Sequence, residues 1–566
     1  MSEPKKHIFD DFSSAARIDN FRVTADKRLE QRGGTALIHT FDAPLRGALT
    51  VGVSDGEEIY AVSGSKLWRL TEADGVFTAV SLGTLEDAAF ADENERVEMF
   101  LFTGKLYILG GGNYYCWDGS ALSVVEGYIP LWRRYSGATG GSQAYERRNL
   151  LTNRVRERFC PDGESREFKL YGKAVSVESV WVSGTKLETD MYSVRFSENT
   201  GYVEMALIYS ENSNDIIEIY YTLVDDGRRS DVTSCPHAAV YGGDTDTRVF
   251  LYGGSNRSVI YPTDLVGAED TPAISAEYFP IGADITVGDG NLRVTGAVRQ
   301  FDRLAIFTEE GAFYTYPYDA GTVNGIQRFT YPILPLNSDV GATREGGAVL
   351  LENEPYALNP NGLYRFKSTS VRDERLAVRV EAPDFIGLDR EFIDACGLYV
   401  NKLRGELWCY HNGVMAIYNA RLDVWYRFTG VDPHFMFTYQ SEAAFGEGNS
   451  LYRFGEGLYD DEGTPFTAQF VSLPLDLGAA FERKTIYGFG VSLERRPSAS
   501  VICSLSTDLG GEWSHTFTLD EGDGSTPVVC HSHARLGRVA YAVFSLEAPG
   551  GCDASVGVRE VMVEVR

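Results

Sequence analysis

No run of about eighteen apolar residues, the length a membrane-crossing helix needs, occurs anywhere in the sequence. The start, Met1-Ser2-Glu3-Pro4-Lys5-Lys6-His7, leads through Ile8-Phe9 into Asp10-Asp11, too short an apolar stretch for a signal peptide. A soluble product made in the cytoplasm is expected, with no membrane insertion. The eight cysteines (116, 160, 235, 396, 409, 503, 530 and 552) include no Cys-x-x-Cys pair. That is not the spacing of a zinc ribbon or a secreted disulfide framework, so they are expected as small buried hydrophobes. Positive charge is also short, with 52 Lys and Arg against 80 Asp and Glu and a formal charge of -28. Such a field repels phosphate, which argues against gripping nucleic acid by counterion release. It leaves room for a surface that DNA slides past, and in its simplest role it keeps a large chain soluble.

Methionine is scarce at 7, whereas Gly (59), Tyr (32) and Phe (31) are plentiful, which favours many short strands joined by glycine turns over long helices. The expected class is all-β. At roughly 100–200 residues per domain the length implies several units. A short signature recurs: Leu363-Tyr364-Arg365-Phe366, Leu407-Trp408-Cys409-Tyr410 and Leu451-Tyr452-Arg453-Phe454 start 44 residues apart. Looser copies are Leu67-Trp68-Arg69-Leu70, Leu106-Tyr107-Ile108-Leu109, Val249-Phe250-Leu251-Tyr252 and Leu304-Ala305-Ile306-Phe307. The spacing fits a four-stranded propeller blade, and a ring follows because one twisted sheet cannot cover both of its own faces. Seven copies predict seven blades, with six or eight open.

From 106 to 249 the gap is 143 residues, well beyond one blade, so something is inserted. Val177–Val182, Tyr192–Phe196, Tyr202–Met205 and 215–221 read as short strands there, and 158–170 as strand, tight turn, strand. After Gly463 the tetrad disappears while alternating strands continue. The predicted partition is propeller over 1–130 and 233–463, an inserted β-sandwich over 131–232, and a C-terminal β-sandwich over 464–566.

Several stretches resemble the stabilisation or tail-nozzle proteins of short-tailed bacteriophages. They include 21–34 (Phe21 to Gly34, ending Gln31-Arg32-Gly33-Gly34), Leu45-Arg46-Gly47, Asn149-Leu150-Leu151-Thr152, and Tyr241-Gly242-Gly243-Asp244 with Thr247-Arg248-Val249. Further ones are Arg299-Gln300-Phe301-Asp302-Arg303-Leu304, Pro335 to Gly341, Val371-Arg372-Asp373-Glu374-Arg375 and Leu475-Asp476-Leu477-Gly478. The resemblance implies a virion structural protein, a ring of subunits in the neck or tail that surrounds the DNA channel below the portal. Its implied partners are copies of itself in a cyclic homo-oligomer, expected as a hexamer, together with portal or head–tail adaptor proteins and tail fibres. Genomic DNA passes without sequence-specific binding. No catalytic residue, cofactor or metal comes with that family, so a non-enzyme is expected.

Four strings carry residue types that could do chemistry. Ser506-Thr507-Asp508-Leu509-Gly510-Gly511-Glu512-Trp513 fits the Asp box of sialidase-type propellers, in which the Asp caps its own hairpin turn over the Trp. The acidic residues Glu86, Asp87, Asp92, Glu93 and Glu95 read as a solvated loop, and Asp520-Glu521-Gly522-Asp523-Gly524 as an exposed turn lacking calcium-loop spacing. Cys530-His531-Ser532-His533 places two imidazoles on one face of a strand without an evident further ligand. Neither His-Glu-x-x-His nor a phosphate-binding Gly-Lys-Ser/Thr loop is present. The alternatives to a structural role are a propeller glycosidase, which needs two carboxylates across a cleft, and a receptor- or glycan-binding tail protein using aromatics on the insert.

Overall fold

Strand makes up 57% of the chain and helix 3%, which settles the class as all-β. The computed structural model describes residues 5–54, 56–210, 216–243, 246–267, 272–323, 326–368, 375–455, 457–478, 482–494, 500–519, 527–550 and 556–566. They form two compact units, 1–81 with 342–566, and 82–341.

In the first unit, antiparallel four-stranded meanders begin at Ala348–Leu351, Gly397–Asn401, Phe435–Tyr439 and Leu45–Val53. Their first strands pack side by side in that order, the radial stacking of a β-propeller in which each sheet covers its neighbour's face. The meander starting at Phe435–Tyr439 has three strands of its own, and Thr35–Thr40 completes it by pairing with Ser450–Phe454. The second unit stacks three further sheets, beginning at Glu98–Phe102, His237–Tyr241 and Val294–Gln300.

The 44-residue spacing joins positions that are not equivalent, and this corrects the predicted repeat. Leu67–Leu70, Leu363–Phe366 and Leu451–Phe454 lie on third strands and share one burial pattern, with the outer two residues buried and the aromatic and arginine half-exposed. On two of them the arginine pairs back to the second strand, Arg69 to Glu58 and Arg365 to Glu354. Leu407–Tyr410 instead lies on a second strand, as do the copies at 106, 249 and 304. Second strands are wholly apolar over Leu106–Leu109, Val249–Tyr252, Leu304–Phe307 and Leu407–Tyr410 because they are covered on both faces, and each of these residues is buried.

The insert is a β-sandwich. One sheet orders Leu131–Ser136, Arg154–Phe159, Ile217–Leu223, Ala174–Val182 and Thr185–Lys186, and the other orders Glu167–Lys169, Thr200–Met205 and Tyr192–Ser197. Both strands expected over 158–170 form, but they do not pair with each other: Arg154–Phe159 pairs with Ile217–Leu223, while Glu167–Lys169 crosses to the second sheet to pair with Thr200–Met205. This crossing brings Phe159 against Phe168 in the core, ring centroids 5.5 Å apart. Residue 215, the start of one predicted strand, lies outside the described residues.

The C-terminal sandwich faces Lys484–Leu493, Val528–Val539 and Gly557–Val565 against Ala468–Ser472, Ser500–Thr507, Glu512–Thr518 and Ala542–Ala548. The N-terminal segment, expected as propeller, is woven into it instead. Lys5–Phe9 and Leu29–Gln31 pair with Gly557–Val565, and Ala15–Asp19 pairs with Ala468–Ser472. Asp19 also bridges in parallel to Arg427 on a blade strand, and its carboxylate accepts from that guanidinium at 2.9 Å. Apolar residues explain the capture: Phe12 is buried edge-on to Phe470, and Phe470 stacks on Phe544.

Arg32 fastens this strap. Its side chain is buried, and all five guanidinium N–H groups have acceptors: Asn20 Oδ1 at 3.0 Å, Gly33 O at 3.0 Å, Thr429 O at 3.0 Å, and the two oxygens of Asp461 at 2.9 and 2.5 Å. Its Cζ lies 3.7 Å from the Phe466 ring centroid. Gly34 follows because a Cβ there would fall 1.9 Å from the Asp460 carbonyl oxygen.

Of the cysteines, 116, 235, 396, 409 and 503 are buried as expected, whereas Cys160 is exposed. Cys552 lies outside the described residues, as do Val371 to Glu374 of the resemblance.

Candidate functional site

Alternation along the insert's larger sheet decides which side chains leave its core. Val155, Glu157, Phe159, Ile217, Ile219, Tyr221 and Val180 point inward and are buried. The intervening residues form the outer face, where register aligns Arg158, Glu218 and Trp181 in one row and Arg156, Tyr220 and Ser179 in the next. A cleft of about 550 Å³ opens there, lined by Arg158, Trp181, Ile216, Glu218, Tyr220 and the turn Ser183-Gly184. Both turn residues have positive φ, 49° and 79°, as a two-residue hairpin turn demands.

The Trp181 indole N–H donates to Ser179 Oγ at 3.0 Å, so the ring is oriented by its own strand. The Tyr220 ring stands 6.5 Å away, centroid to centroid, at 57°. Arg158 Nε and, at 3.4 Å, Arg156 Nη1 donate to Glu218. Burial pushes the Glu218 carboxyl up, but hydrogen bonds from Tyr220 and Arg158 outweigh it and hold the group below its ordinary value. Burial, followed by Glu218, raises the Tyr220 hydroxyl and keeps it protonated. The result is two tilted aromatic faces beside a donor–acceptor pair, able to stack and to hydrogen-bond a ligand.

Behind this face, Glu157 is wholly buried and accepts from Ser136 Oγ at 2.6 Å, Tyr221 Oη at 3.0 Å and Tyr171 N at 3.2 Å. Desolvation raises its pKa even so. It ties three strands and a loop together beneath the cleft. A separate pocket of about 560 Å³ in the same unit contains Arg248, Asp264 and Tyr331. There Arg248 is buried and divided between Asp246 at 2.7 Å and Asp264 at 2.9 Å, an arrangement that secures the blade turn.

The strings singled out in the sequence are dispersed. In the Asp-box hairpin, Gly511 N donates to Thr507 Oγ1 at 2.9 Å, while Asp508 reaches past its own turn to accept from Ala540 N at 2.9 Å and Tyr541 N at 3.4 Å. The expected cap on its own turn is thus replaced by a clamp on the neighbouring one, aided by Arg483 at 3.0 Å. Trp513 packs on Phe489, centroids 5.5 Å apart, and donates to His533 O at 3.1 Å. In the acidic loop, Glu95 accepts from Ala91 N and Gly111 N, and Asp92 from Asn94 N. His531 and His533 share a face with ring centroids 5.6 Å apart, and His531 Nε2 lies 3.4 Å from Glu564. Among the described residues no group of three His, Cys, Asp or Glu is arranged to hold a metal. Residues 520–524 lie outside the described residues.

Gly52-Val53-Ser54-Asp55-Gly56 spells the serine nucleophile elbow, a match that sequence reading passed over. It joins two antiparallel strands, Leu45–Val53 and Gly56–Ser63, whereas the elbow requires a strand-to-helix turn. The cleft itself was also missed, since its row of Arg158, Glu218 and Trp181 comes from three separated segments aligned only by register.

No family model and no curated protein matches the chain. Among solved structures it is similar to the extracellular domain of a one-component system of B. thetaiotaomicron, at 7% identity over 92% of this chain with a TM-score of 0.38. The chain spans 60% of that protein's length. It is also similar to an exo-β-1,3-galactanase from Phanerochaete chrysosporium, at 7% identity over 94% of this chain and 99% of the other, TM-score 0.24. A third is the Trypanosoma rangeli sialidase, at 8% identity over 100% of this chain and 96% of the other, TM-score 0.22. The expectation of a non-enzyme is corrected: an all-β layout of this kind carries no exclusion of catalysis.

Proposed function

We propose that the chain is a structural component of a bacteriophage particle, a neck or tail-nozzle protein that forms a cyclic homo-oligomer around the DNA channel and docks neighbouring tail proteins. The observation that carries this reading is the strap: residues 5–31 are distributed over both C-terminal sheets and locked by Arg32, and Ala15–Asp19 joins a blade strand to the sandwich of that unit. Such interlacing suits a part that must keep its shape under assembly contacts. The resemblance supports it too, since Arg32, Gly33 and Gly34 within the resembling segment are the residues that make the lock. A formal net charge of -28 suits a surface that DNA passes without sticking. Mass spectrometry and reconstruction of purified particles test the reading. The chain is expected in the neck or tail, in cyclic copies about the channel; its absence from particles, or a lumen lined by its basic residues, overturns the proposal.

The cleft of Trp181 and Tyr220 favours a second reading, in which the same protein binds or cleaves host-surface saccharide. New reducing ends after incubation with bacterial polysaccharide would establish cleavage.

A further inference from the structure

The outer face of the insert combines features that are rarely needed together for packing. An aromatic ring that only filled space would be buried, yet Trp181 and Tyr220 are half-exposed and line an open cleft. Trp181 is nevertheless fixed by Ser179, so little rotational freedom is left to lose when something stacks on it. The cleft volume, about 550 Å³, is within the range of about 300–1,000 Å³ occupied by small-molecule sites.

We infer that this cleft binds a pyranose saccharide, one sugar ring stacking its C–H face on Trp181 while adjacent hydroxyls engage Arg158 and Glu218. The chemistry selects this class. A sugar ring has an apolar face and an edge of hydroxyls that both donate and accept, and the cleft offers an aromatic face with a guanidinium donor and a carboxylate acceptor side by side. Tyr220, its ring at 57° to Trp181 with centroids 6.5 Å apart, borders the same cleft and contributes a hydroxyl. A nucleotide could stack equally well, but its phosphate enters the field of a chain with charge -28. Glu218 is held from the neighbouring strand by Arg158 and Arg156 on the same outer face, and that strand is anchored in the insert's core through Glu157, so the polar edge is preorganised.

This inference rests on the second reading of the protein's role and is tested apart from its place in the particle. Purified full-length chain is applied to a printed array of bacterial surface oligosaccharides, and the strongest binder is titrated by calorimetry alongside adenosine monophosphate. Binding of an oligosaccharide, with about a thirtyfold loss in Trp181→Ala and most of the affinity kept in Trp181→Phe, is expected. The phenylalanine variant guards against misfolding, since it retains the ring. No oligosaccharide binding, unchanged affinity in Trp181→Ala, or preference for the nucleotide overturns the site. Saccharide binding by a chain missing from particles would sink the virion proposal alone, and a particle protein without saccharide binding would sink this one alone.

Discussion

Arg32→Met is the sharpest perturbation the fold offers. The substitution leaves a thioether of similar length in a site where five N–H groups had acceptors, and it strands the Asp461 carboxylate, whose side chain is 7% exposed. Removing one partner of a buried ion pair costs about 3–5 kcal/mol, mostly because the remaining charge is uncompensated. At about 1.4 kcal/mol per tenfold, opening of the strap should become roughly a hundred to a few thousand times more frequent. Native-state hydrogen exchange reads this locally, which matters because a chain of several domains does not unfold as a single two-state unit. Amides of Ala15–Asp19 and Ala468–Ser472, which pair with each other, should lose protection together, while those of the insert should not change. The double variant Arg32→Met with Asp461→Leu should recover most of the loss, because no buried charge is left unpaired. If the double variant is no more protected than the single one, or if Arg32→Met costs less than about 1 kcal/mol, the lock is not what holds the strap and the reasoning fails.

Three further outcomes follow from other parts of the molecule. Burial raises Glu157 above its ordinary value of 4.5 in the folded insert, so its contribution to stability is full below 4.5 and fades as pH rises through the folded value; limited proteolysis of the insert should accelerate over that rise in the wild type and show a flatter profile in Glu157→Gln. Ile306→Ala, on a second strand covered on both faces, should cost about 2–5 kcal/mol in the hydrogen-exchange protection of its own sheet, whereas Arg365→Ala, on a half-exposed third strand, should cost its sheet about 1 kcal/mol or less; equal losses would contradict the distinction between the two strands. In native protein, iodoacetamide should label Cys160 well before Cys396, Cys409 and Cys503, as peptide mass mapping would record.

The propeller was legible in the sequence because its third strands repeat a chemical compromise: Leu67-Trp68-Arg69-Leu70 and Leu363-Tyr364-Arg365-Phe366 bury their ends and expose their middles, which fixes the residue types. Second strands carry only an apolar run, and a run such as Leu407-Trp408-Cys409-Tyr410 satisfies the same loose pattern, so two signatures merged into one apparent period. The insert announced itself as a gap. The strap did not, since Phe21–Val23 and Leu29–Gln31 are three-residue strands whose meaning depends on Gly557–Val565, more than five hundred residues later. The cleft was hidden for a related reason: polar residues alternating on Arg154–Phe159 predict only an outward face, and what that face meets is decided by strand order.

The blade that begins at Phe435–Tyr439 takes its last strand, Thr35–Thr40, from a segment 410 residues earlier in the chain, as the Thr40–Ser450 pair shows. On a ribosome adding roughly 5–20 residues per second, that early strand waits some tens of seconds before Ser450–Phe454 emerges to meet it. During this interval its edge is open to any other β-rich nascent chain on the same message. Completion of the protein's fold is therefore timed by translation, and slow codons downstream would lengthen the exposure more than any upstream.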